Sequence, residues 1–164
     1  MPSGGMDRQQ YLSTKFGSED NANSVYQRIA DEGEKNKIFF QFNKIAKTPN
    51  SFLSHKLLAY AHNKNKQTKV LELLFYKYFI EGEDIGSVNV LINAAKDADI
   101  YDENIEKYII SEKDNDSLLN EEKHAKNIGI NSVPCFIFNK QIVVNGAQPT
   151  KNFIQIIESL KQDV

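Results

Sequence analysis

The stretch Ser132-Val133-Pro134-Cys135-Phe136-Ile137-Phe138-Asn139-Lys140-Gln141-Ile142-Val143-Val144-Asn145-Gly146-Ala147-Gln148-Pro149 decides how the chain folds. Two runs of β-forming residues, 135–138 and 142–144, flank a polar turn at Asn139-Lys140-Gln141, the pattern of a hairpin. The first run is apolar at every position, which predicts a strand covered on both faces. Proline has no N–H for a ladder, so Pro134 suits the first residue of that strand. Beyond the hairpin, Gly146 breaks the pattern. Pro149-Thr150 then opens a helix whose apolar face is Phe153, Ile154, Ile156, Ile157 and Leu160. A doubly covered strand is normally a central one, yet the hairpin supplies a neighbour on one side alone. Residues 7–128 read almost wholly as helix, and an open apolar edge invites aggregation. The expectation is that something outside these residues completes the sheet.

Composition narrows the classes. At 164 residues, with 40 % hydrophobic and 26 % charged residues, the chain has the make-up of an ordinary globular protein. A formal net charge of −2 gives no electrostatic reason to expect nucleic acid or an anionic membrane as partner. No apolar run approaches the roughly 20 residues of a membrane helix. Met1-Pro2-Ser3-Gly4-Gly5-Met6-Asp7 has neither the basic nor the apolar region of a secretory signal, so the expected setting is reducing and cytoplasmic. Cys135 is the one cysteine, which excludes an internal disulfide, a C-x-x-C pair and thiolate-rich zinc binding.

Taken in order, the chain predicts a loop over residues 1–6 and a helix capped by Asp7 and ended by Gly17. Ser18 starts a helix that reaches about Asn36. The aromatic piece Ile38–Phe42 reads as a packed connection. Thr48-Pro49-Asn50 is a stop and restart, with Asn50 as N-cap of a helix to about Asn63. Residues 67–81 form the most apolar helix, with Val70, Leu71, Leu73, Leu74, Phe75, Tyr78 and Phe79 over more than half its circumference, which predicts a place at the centre of a helical cluster. Further helices follow from Ser87, over 102–112 and over 116–128, the last ending at Gly129. The expected organisation is a helical domain, 7–128, followed by a hairpin and helix, 129–164.

A resemblance becomes specific at Gly129-Ile130-Asn131-Ser132-Val133-Pro134-Cys135-Phe136-Ile137-Phe138 and Val144-Asn145-Gly146-Ala147-Gln148-Pro149. Together with Gly5-Met6-Asp7-Arg8, Tyr11-Leu12, Lys15-Phe16-Gly17, Thr48-Pro49-Asn50, His55, Phe79, Glu81-Gly82 and Asp84-Ile85-Gly86, in that order, these segments resemble the DsbA-like thioredoxin-fold proteins, most closely the FrnE-type subfamily. The resemblance implies an α/β thioredoxin-like fold with a large helical insertion. It also implies a β-α-β unit before the insertion that carries a redox Cys-x-x-Cys. No such unit is found here, so the sequence reads as a truncated member whose own catalytic residues are none. By the same resemblance Val133-Pro134 is a cis bond, and the residue before it offers its backbone to substrate.

The implied activity is thiol–disulfide exchange on protein or small-molecule disulfides. One alternative is a glutathione-dependent isomerase of the 2-hydroxychromene-2-carboxylate type or a kappa-class glutathione transferase, with glutathione as co-substrate and a serine in place of the cysteines. Another is a non-catalytic helical module that pairs a partner strand to the open edge. No other cofactor is implied. Candidate substrate-contacting residues are Val133, Pro134, Asn50, His55 and Gln148. Asn50 also reads as a plain N-cap, His55 as a partly exposed helix residue, and Gln148 lies just before a helix N-terminus. Strand alternation sets Cys135 opposite Pro134, and an inert core thiol is expected there. His55 and His62 lie i, i+7 apart and His124 is isolated, which argues against a metal site. A homodimer is compatible with the sequence.

Overall fold

The structure, a computed structural model, describes residues 1–130 and 132–162. Asn131, which belongs to the Gly-Ile-Asn-Ser-Val-Pro segment, and Asp163 and Val164 at the end lie outside the described residues. The chain divides into two compact bodies, Met1–Asn115 and Asp116–Val164.

In the first body a two-residue strand β1 (Met6–Asp7) pairs antiparallel with β2 (Lys47–Thr48). Helix α1 (Arg8–Phe16) starts where the Asp7 carboxylate accepts the Gln10 N–H at 3.0 Å, and stops at Gly17, whose φ of 78° a side-chain-bearing residue adopts at a cost. Helix α2 (Glu19–Lys35) is capped by the Ser18 hydroxyl, which accepts the Asn21 N–H at 3.2 Å. Residues 38–41 are irregular and pass into a single 3₁₀ turn, Phe42–Lys44. The connection is packed by rings: Phe40 stacks on Phe42 at 5.0 Å, and Phe42 meets Tyr26 at 4.7 Å.

Helices α3 (Phe52–His62), α4 (Gln67–Tyr76), α5 (Val88–Asp97) and α6 (Ile105–Ile110) build the core. It consists of Leu57, Ala61, Val70, Leu74, Leu91, Ala94, Ala95, Ala98, Ile100, Ile105 and Ile109, all buried. The alanines of α5 let its neighbours approach closely. Helix α4 runs on as a π-type turn, Lys77–Glu81, that ends at Gly82. A Cβ on Gly82 would lie 2.5 Å from the Lys44 carbonyl oxygen, so the close approach of the 44 and 82 loops requires glycine.

Helix α4 does not sit buried all round. Leu71, Phe75 and Tyr76 are exposed, and its buried positions are Val70 and Leu74, one stripe rather than a full circumference. Asn50 is not the N-cap of α3 either. Ser51 is, without a side-chain bond, and the Asn50 side-chain oxygen accepts the Phe52 N–H from one residue earlier.

Helix α7 (Asn115–Asn127) leads into the second body and ends before Gly129, φ 86°. Strands β3 (Cys135–Phe138) and β4 (Ile142–Asn145) pair antiparallel, Phe136 opposite Val144 and Phe138 opposite Ile142, around the 139–141 turn. Helix α8 (Thr150–Gln162) places Phe153 against both Phe136 and Phe138, at 4.7 and 6.0 Å between ring centres. Helix α8 therefore packs on one face of the hairpin, where Phe138 is half-buried and Phe136 stays 37 % exposed. The other face, with Ile137 and Val143, is exposed, contrary to a strand covered on both sides. Among the described residues the sheet holds β3 and β4 alone.

Candidate functional site

The hairpin sets out its polar backbone by register. The Gly146 N–H donates to the Pro134 carbonyl at 2.8 Å. In an antiparallel ladder that makes 136/144 and 138/142 the pairs that exchange bonds, with Pro134 at 134/146 accepting and donating nothing. The N–H and C=O groups of Cys135 and Ile137 therefore point to the outer edge of β3, where no described strand lies. Immediately before this edge the Val133–Pro134 peptide is cis, with Val133 88 % exposed and Pro134 exposed. Cys135 is half-buried rather than a core thiol, because its face of the hairpin is the one α8 leaves open. Gln148 turns back on its own loop. Its amide donates to the Asn145 carbonyl at 3.4 Å, and its oxygen accepts from Asn152 at 3.1 Å.

In the first body, segments far apart in sequence converge on Thr48-Pro49-Asn50. Arg8 donates to the Thr48 hydroxyl at 3.2 Å, and Lys47 pairs with Asp84 at 2.6 Å. Asp84 in turn accepts the Gly86 N–H at 2.9 Å, and the Ser54 hydroxyl donates to the Ile85 carbonyl at 2.6 Å. Cβ atoms on Gly5 and Gly86 would lie 2.7 and 2.9 Å from the Thr48 and Asn50 carbonyl oxygens. The Asn50 amide donates to the Met1 and Pro2 carbonyls, at 3.3 and 3.2 Å. Asn50 thus ties the chain start to α3, while His55 stands exposed one turn along the helix. The Gly5–Arg8, Thr48–Asn50 and Asp84–Gly86 motifs are parts of one loop cluster, a purpose that explains their residue types without any ligand.

Sequence reasoning missed three buried cations. Arg8 is 8 % exposed, its guanidinium 4.8 Å from the Tyr26 ring centre and 3.4 Å from the Tyr78 hydroxyl. Burial raises the Tyr78 pKa, and the nearby Arg8 charge opposes that rise. Lys56 is fully buried. Its ammonium donates to the Ser111 carbonyl and, at 3.0 Å, to the Asn115 side-chain oxygen, over the Tyr108 ring. Desolvation pulls its pKa down, against the pull of Asp114. Lys77 lies 3.4–3.7 Å from Glu81, Glu83 and Asp97. Burial works to lower its pKa, but those carboxylates outweigh it and the net shift is upward. A signal was present: Lys56 has Leu53 and Tyr60 at i−3 and i+4, and Lys77 follows Leu73 and Leu74, so both lie on apolar stripes.

No group of three or more His, Cys, Asp or Glu among the described residues could hold a metal ion, and no helix of theirs is long and apolar enough to cross a membrane. The family model described as a DSBA-like thioredoxin domain matches residues 1–158. Among solved structures, that of a probable DsbA oxidoreductase from Streptomyces coelicolor superimposes with a TM-score of 0.85 at 18 % identity, covering 97 % of this chain and 69 % of that one. A search of curated proteins found no match.

Proposed function

The chain belongs to the DSBA-like thioredoxin domain family, and from that premise we propose that it forms the helical and hairpin part of a FrnE-type thiol–disulfide oxidoreductase. The observation that carries the reading is the family match, whose bounds, residues 1–158, take in both the helical body and the Pro134 hairpin. The outward-facing backbone groups of Cys135 and Ile137 support it, since they offer a further strand an edge to pair with.

In this proposal a β-α-β unit outside residues 1–164 supplies that strand and the redox cysteine pair. One thiolate attacks a sulfur of the substrate disulfide, forming a mixed disulfide and expelling the first substrate thiolate. The second cysteine then displaces the other substrate thiolate. The substrate gains two electrons and the cysteine pair closes to a disulfide. Cys135 cannot replace the pair, because a single thiol stops at the mixed disulfide. Val133 and Pro134 border the edge and would present their backbone to the substrate chain, and His55, exposed on the first body, is a separate candidate contact. Asn50 and Gln148, both held by the chain's own carbonyls, would shape the loops rather than grip substrate. A cytoplasmic setting is part of the proposal and is read by cell fractionation.

The test is insulin reduction with dithiothreitol as electron source. Residues 1–164 are expected to add nothing to the uncatalysed rate, and the same chain joined to the upstream part of its reading frame is expected to turn over. Finding a serine where the cysteine pair should stand would overturn the oxidoreductase reading in favour of glutathione-dependent chemistry.

A further inference from the structure

Helix α2 carries an apolar stripe that the first body leaves open. Val25, Ile29 and Gly33, with Ile38 and Phe40 opposite, line a groove of about 510 Å³. Ile29, Ile38 and Phe39 are 42, 46 and 60 % exposed. The groove is built from fixed parts. The Ile38 N–H donates to the Gly33 carbonyl at 2.8 Å, and a Cβ on Gly33 would fall 2.6 Å from the Phe40 ring, so glycine lets the ring lie on the helix backbone. Phe40 continues through Phe79, at 5.6 Å, to the exposed Phe75, at 6.0 Å from Phe79. An aromatic, apolar surface of this kind with a charged rim has the make-up of the middle of a protein interface.

The rim points to the occupant. Arg28 and Glu32 border the groove, opposite in sign and one turn apart on α2. A two-fold axis crossing α2 near Ala30 sets a second α2 antiparallel to the first and brings Arg28 of each copy to Glu32 of the other. The Ile29 of each copy then faces the groove of its mate. A partner of a single charge sign would leave one of the two rim charges opposed; an identical helix satisfies both. Glu32 does bond Lys35 at 3.0 Å, but both side chains are largely exposed and such a pair is weak enough to exchange. A net charge of −2 leaves little repulsion between copies. We propose that the chain forms a homodimer through antiparallel α2 helices seated in each other's Ile29–Ile38–Phe40 groove.

Sedimentation of the full chain over a concentration series tests this. Wild type is expected to show a monomer–dimer equilibrium, and Ile29→Lys to weaken it at least about 100-fold, because an apolar contact is lost twice across the axis. Arg28→Glu and Glu32→Arg should each weaken the dimer, and the double variant should restore it, with unchanged circular dichroism in all four. A wild type that stays monomeric to its solubility limit overturns the proposal, as does a dimer indifferent to Ile29→Lys. Failure of the double swap to restore association assigns the groove to a different partner and equally overturns it.

Discussion

Replacing Lys56 separates what its charge does from what its stem does. The ammonium serves two acceptors, the Ser111 carbonyl and the Asn115 side-chain oxygen, at the point where the first body ends. Both acceptor residues are half-exposed, so water can take over part of the role, and losing the donor is expected to cost about 1 kcal/mol for each. Relief from holding a buried cation returns some of that. Lys56→Met, which keeps the stem, should therefore destabilise by about 1–2 kcal/mol. Lys56→Ala also removes three buried methylenes at about 0.8 kcal/mol each, for a total of about 4 kcal/mol. At roughly 2–4 °C per kcal/mol in a chain of this size, the alanine variant should melt about 10 °C below wild type.

The charge also has a pH signature. Because the folded pKa lies below the ordinary 10.5, the unfolded chain holds its proton longer, and wild type gains stability relative to Lys56→Met as pH rises towards 10.5. Urea melts followed by circular dichroism at neutral and alkaline pH measure all of this. An alanine variant within about 0.5 kcal/mol of wild type, the scatter of ordinary surface changes, would mean that neither the charge nor the stem of Lys56 stabilises the fold.

Gly33→Ala should destabilise by about 1–3 kcal/mol, since its Cβ would overlap the Phe40 ring, and a thermal melt reads it. Phe153→Ala removes the half-buried ring that packs on Phe136 and Phe138, and should cost the second body about 1–2 kcal/mol, seen as loss of dispersed hairpin amide signals. Asp102 is held down to about 2 by hydrogen bonds from Lys64 and Tyr60, so its contribution is present above the ordinary 3.8 and lost as pH falls through about 2. Acid titration of wild type against Asp102→Asn should show that window flattened in the variant.

The sequence made legible what local chemistry determines. Asp7, Ser18, Gly17 and Gly129 mark helix ends because caps and left-handed turns need those residue types. The hairpin and the helix from Thr150 were readable from alternation and turn residues. Burial was less legible. Helix α4 is apolar around most of its circumference, yet Phe75 and Tyr76 face outward, because periodicity reports where apolar residues point and not whether a neighbour arrives. The same limit hid the exposed face of Ile137 and Val143. In the candidate site the motifs at Gly5–Arg8, Thr48–Asn50 and Asp84–Gly86 were visible singly. Their meeting at one loop cluster was not, since pairings such as Lys47 with Asp84 join residues 37 apart. Lys56 and Lys77 are buried although lysine is a residue type that mostly faces solvent, so residue type alone points the wrong way at both positions.

Hydrogen exchange at the amides of Cys135 and Ile137 bears most directly on the proposed incomplete sheet. In residues 1–164 these two are expected to exchange freely, while Phe136 and Phe138, bonded to β4, are protected. Joined to a β-α-β unit bearing Cys-x-x-Cys, the same two amides should slow at least about 100-fold. Protection of Cys135 and Ile137 in residues 1–164 alone, or free exchange in both forms, would contradict the account.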